Sequence, residues 1–126
     1  VKRAVIAGGR APMSKRFPEV ETALQKHTEN LKAQGIECAL CDMLERHNSY
    51  SLPSNTYVFL RNEFPYTEFD GREVLEHWLL LPTEHTAQEA LPAKTLPDYD
   101  VWIKSPNERS VRDHFHAHLF KLGNHV

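Results

Sequence analysis

Seven residues near the end of the chain, His114-Phe115-His116-Ala117-His118-Leu119-Phe120, alternate imidazoles with apolar side chains. On a strand, successive side chains project to opposite faces, so the three histidines would share one face, spaced roughly 7 Å apart, with Phe115, Ala117 and Leu119 packed behind them. On a helix the same residues would be splayed around the axis, with His114 and His118 one turn apart on an exposed polar face. Imidazole titrates near neutrality, at about 6.5 when unperturbed, and serves as nucleophile, proton donor or metal ligand. Three on one face can divide those tasks: a neutral nitrogen displaces a leaving group from phosphorus while a neighbouring imidazolium neutralises the phosphoryl oxygens.

A chain of 126 residues suits one compact unit, with a strand and helix in residues 1–35 and a sheet carrying the motifs in residues 36–126. A formal charge of -2 does not favour broad binding to nucleic acid or anionic membrane, so any phosphate is expected at a local site. No apolar run is long enough to span a bilayer and the N-terminus lacks a signal-peptide pattern, from which we expect a soluble, cytoplasmic protein. Both cysteines, Cys38 and Cys41, sit in one C-x-x-C, open to metal binding, to redox chemistry or to a role as ordinary buried thiols.

Arg3 to Ala7 reads as a strand ending at Gly8-Gly9. Pro18, the helical spacing of Val20, Leu24, His27 and Leu31, and the stop at Gly35 predict a helix over 18–34. Residues 36–44 are ambiguous between strand and helical turn, whereas 56–60, 78–81, 101–104 and 114–120 read as strands. Pro92 and Pro97 exclude a long helix from residues 86–100. The expected class is α+β, an antiparallel sheet of about five strands with one main N-terminal helix.

The run His114 to Phe120 resembles the signature of the histidine-triad superfamily of nucleotide hydrolases and transferases. Upstream, Asn62-Glu63-Phe64-Pro65-Tyr66 and the stretch Glu76-His77-Trp78 to His85 resemble that family's strand pair, and Cys38-Ala39-Leu40-Cys41 stands where its zinc-bearing members carry C-x-x-C. The family's usual long internal helix is missing, and the helix at 18–34 is the candidate to replace it. The resemblance implies a nucleotidyl-histidine intermediate on His116, cleaving a phosphoanhydride, phosphoramidate or phosphoester of a nucleoside, with His118 on the phosphate or leaving group. It implies a structural Zn2+ held by Cys38, Cys41, His85 and His114, and a two-fold homodimer. It places Asn62 on the ribose and Ser110 at the phosphate or leaving group, with Lys104 and Asn107 as further nucleotide contacts.

Other readings of the same residues remain open. One is a catalytically weak, zinc-stabilised nucleotide-binding module; another is a His-hydrophobic-His metal-dependent nuclease, whose attacking tyrosine would have to come from Tyr50, Tyr57, Tyr66 or Tyr99. His47 is an alternative metal ligand, His77 a satisfied strand-end histidine, and Asn62 a turn residue.

Overall fold

The structure is a computed structural model that describes residues 4–6, 13–47, 57–88, 98–104, 111 and 113–126. Helix α1 spans Pro18–Ala33, as its sequence predicts: proline at the start, Glu19 and Glu21 in the first turn and Lys32 in the last all agree with the backbone dipole. Gly35 ends it at φ +74°, and the N–H groups of Gly35 and Ile36 close onto Lys32 O and Leu31 O, the paired bonds of a glycine-capped helix. The ambiguous stretch after it resolves into a second helix, α2, Ala39–Arg46.

Among the described residues seven strands form one sheet: β1 (Ala4–Ile6), β2 (Ser14–Lys15), β3 (Tyr57–Arg61), β4 (Glu68–Phe69), β5 (Arg72–Pro82), β6 (Asp100–Ile103) and β7 (Ala117–His125). Strand β5 is central, antiparallel to β7 along one edge and to β3 and β4 along the other; β6 follows β7 and pairs in parallel with β1. The α+β class and the mostly antiparallel sheet are as expected, with β2 and β4 as additions.

Strand β7 begins at Ala117, so of the three clustered histidines His114 and His116 precede it and His118 lies on it. That corrects the expectation of three histidines on one strand face. Both faces of the sheet carry apolar residues here, because the consecutive Leu79, Leu80 and Leu81 of β5 project to opposite faces in turn. Leu79 and Leu81 pack with Val58 and Leu60 of β3 under Leu40 and Met43 of α2. On the opposite face, Leu80 joins Val101, Ile103, Ala117, Leu119 and Phe115. Farther along the sheet Tyr66, Phe69, Trp102 and Phe120 form an aromatic cluster beneath the start of α1, where Arg16 stacks on Tyr66.

Candidate metal centre and adjoining cavity

Cys38 is the N-cap of α2, and its Sγ accepts the Cys41 N–H at 3.3 Å. A C-x-x-C across a helix start brings both sulfurs to one side of the first turn, and the tertiary fold brings two imidazoles to meet them. His114 Nδ1 lies 3.6 Å from Cys38 Sγ and 3.5 Å from Cys41 Sγ, and His85 Nδ1 lies 3.2 Å from Cys41 Sγ. All four donor atoms fall within 4.8 Å of one another. Tetrahedral zinc, with bonds of roughly 2.3 Å to sulfur and about 2.05 Å to nitrogen, sets sulfur and nitrogen roughly 3.6 Å apart. Donor set and spacing therefore fit Zn2+, and Cys38, Cys41, His85 and His114 form a group capable of holding a metal ion, the set that the resemblance implied. His47 takes no part; it sits beside Glu63, with 3.8 Å between His47 Nε2 and Glu63 Oε2.

The surroundings aim these ligands. His114 Nε2–H donates to Pro82 O at 2.9 Å, which leaves Nδ1 for the metal, and the Phe115 N–H donates to Thr86 O at 2.7 Å, tying the two histidine segments together. Burial, with Cys38 alongside, pushes the Cys41 thiol up to about 11. A bound cation reverses that preference, since the thiolate is the coordinating form.

Beside this centre, between the two helices and the sheet, lies a cavity of about 350 Å³ lined by Asn62, Lys104, His116 and His118 among others. The structure thus brings four of the anticipated site residues to one cavity. Asn107 and Ser110 lie outside the described residues. Asn62 is also a turn residue, its Oδ1 accepting the Phe64 N–H at 2.7 Å. His116 Nδ1–H donates to His114 O at 3.1 Å, which orients its ring from the metal-bearing segment.

Strand β5 supplies a histidine the sequence left as merely satisfied. His77 Nδ1 must accept from the Tyr66 N–H at 3.2 Å, so the ring hydrogen of this neutral imidazole is on Nε2, where it donates to His118 Nδ1 at 2.8 Å. Asn62 Nδ2, 3.3 Å from the same Nε2, is another N–H group, so in this tautomer it neither donates to that nitrogen nor competes for its hydrogen. Burial drives His77 down to about 3 and His118 well below its ordinary value, with Arg16 and Lys104 adding to the effect on both. Arg16 and His27, also on the cavity wall, belong to no motif that a sequence reading would select.

The three histidines are divided among different tasks: His114 joins a four-ligand metal group, His116 bonds the backbone, and His118 pairs with His77. This overturns the triad reading, and with it the hydrolase or transferase working through phosphohistidine on His116. Nor do His116 and His118 form a metal-holding group of the nuclease kind among the described residues. No family model matches the chain, and no curated protein or solved structure matches it, so the histidine-triad resemblance is not sustained. No helix among the described residues is long and apolar enough to cross a membrane.

Proposed function

We propose that the protein is a metal-stabilised binding module whose cavity takes a nucleotide without cleaving it. The observation that carries this reading is the Cys38, Cys41, His85 and His114 group, whose donor atoms gather within 4.8 Å from three separate segments. Four protein ligands close a tetrahedral ion and leave no position for an activated water, which makes the metal a structural tie. The tie holds the start of α2 against the segment entering β7, and both contribute to the cavity wall through Ala39, Leu40 and His116. A cavity of about 350 Å³ is of the size that small ligands use. Its wall is apolar through Leu24, Leu31, Leu40, Met43 and Phe64, and it carries the cations Arg16, Lys32 and Lys104 together with the carboxylates of Glu37 and Glu63. The excess of cations over carboxylates on that wall suits an apolar ring system carrying an anionic group.

Titration calorimetry with nucleoside 5′-monophosphates, combined with chromatography of the recovered ligand, tests the reading. Saturable binding with intact ligand is the expected result, together with loss of binding in Cys38→Ser as the metal is lost. Release of nucleoside or phosphate would overturn it, as would binding that is indifferent to the metal.

A further inference from the structure

We propose that Cys38 and Cys41 form a redox-released latch: hydrogen peroxide oxidises the pair to a disulfide, the metal ion is set free, and the tie between three segments of the chain opens. Cys41 is the sulfur that attacks the oxidant, and Cys38 is the one that resolves the product. The proposal rests on the metal group and is independent of what the cavity takes.

Two asymmetries within the group assign those parts. Cys38 packs against the core cluster of Leu40, Met43, Val58 and Leu81, and its Sγ is engaged by the Cys41 N–H at 3.3 Å. Cys41 Sγ instead meets His85, the exposed ligand of the four, with the buried His114 on its inner side. His114 is fixed by its own bond to Pro82 O, so His85 is the ligand that leaves more readily. When the His85 ring swings out, the Cys41 sulfur faces solvent, and the reactivity of a thiolate follows its access.

The Cys41 thiolate attacks one peroxide oxygen, the O–O bond breaks, and the sulfur becomes a sulfenic acid while the departing hydroxide takes up a proton to give water. The Cys38 thiolate then attacks that sulfur and expels its hydroxide, which takes up a second proton; the two sulfurs have lost two electrons and the peroxide has gained them. Both sulfurs lie within 4.8 Å of each other, so side-chain rotation brings them to the roughly 2.05 Å of a disulfide. The chain contains no other cysteine to divert the sulfenic acid. The new bond joins two residues at the start of α2 and reaches no other segment. Two imidazoles remain as ligands, too few for a closed tetrahedral site, so a long-range tie is exchanged for a local one.

Zinc-reconstituted wild-type protein treated with hydrogen peroxide, and followed with a zinc-sensitive dye, intact mass and scanning calorimetry, tests the latch. One zinc should be released per chain as the chain mass falls by about 2 Da, the two hydrogens lost on forming a disulfide. The melting temperature should fall to that of the chelator-treated protein, and dithiothreitol with zinc should restore all three readings. In the zinc-loaded protein before oxidation, limiting N-ethylmaleimide should label Cys41 about fivefold or more faster than Cys38 by peptide mapping. Zinc retained under peroxide, zinc released with added oxygen in place of the disulfide, or a melting temperature unchanged by oxidation overturns the latch. Equal labelling, or Cys38 labelled first, overturns the part given to Cys41. A reconstituted protein that holds no zinc removes the tie itself, a result distinct from a zinc-bearing protein that forms no disulfide.

Discussion

His77 and His118 are two imidazoles sealed in an aromatic cluster, against Tyr66, Trp102 and Phe120. Burial is the main reason both resist protonation, and in His77 it lowers the pKa to about 3. In the unfolded chain each would take up a proton near 6.5, a proton the folded state refuses. Their contribution to stability is therefore fully present above about pH 6.5 and is lost as the pH falls toward the folded values, by roughly 2 kcal/mol at pH 5 for His77 alone. The ring-proton shifts of both should stay constant from pH 7 to pH 5 while the urea midpoint drops; a shift titrating near 6.5 in the folded protein would contradict this. At this scale the sequence was informative for residue type and weak for role. It marked His118 for its place in an alternating run, but the partner that orients it lies in another strand, and no local pattern links the two.

Among the elements, the hairpin joining β4 to β5 was within reach of the sequence. Asp70 and Gly71 form its two-residue turn at φ +50° and +81°, and an Asp-Gly pair is the strongest short signal for such a turn. The expected strand nevertheless began only at Trp78, because Arg72, Glu73 and Glu76 interrupt the apolar pattern. Pairing with β7 carries β5 back to Arg72 despite them. Gly71→Ala should cost about 1–2 kcal/mol, because a side chain is strained at that φ even though nothing lies within 4 Å of the added carbon. A urea denaturation series checks it, and unchanged stability would mean that the turn tolerates the strain. Helix α2 is the converse case: its sequence was ambiguous, and the cap by Cys38 together with burial of Leu40 and Met43 against β3 and β5 decides it.

Across the whole molecule, the metal group links the start of α2, the exit of β5 and the entry to β7. A tie between segments so far apart in sequence constrains the unfolded chain strongly, so a strong chelator should lower the melting temperature by about 10 °C or more. Added zinc should restore it, and Cys41→Ser should already melt low and ignore the chelator. Scanning calorimetry with metal analysis makes the comparison; a chelator-insensitive wild type found to contain no metal would remove the tie from the account.

By itself the sequence determined the class of fold, the boundaries of α1, most strand positions and the C-x-x-C half of the metal group, whereas His85 and His114 entered only through the family resemblance. These follow from local periodicity, capping residues and ligand chemistry, all of which act over a few residues or are carried by residue type. Only the tertiary structure decided that His114 leaves the company of His116 and His118, that His77 orients His118, and that Arg16 reaches their cavity. Each of those depends on contacts between segments distant in sequence, where packing of β5 against β7 and of the helices on the sheet selects among side-chain partners that alternation leaves equal.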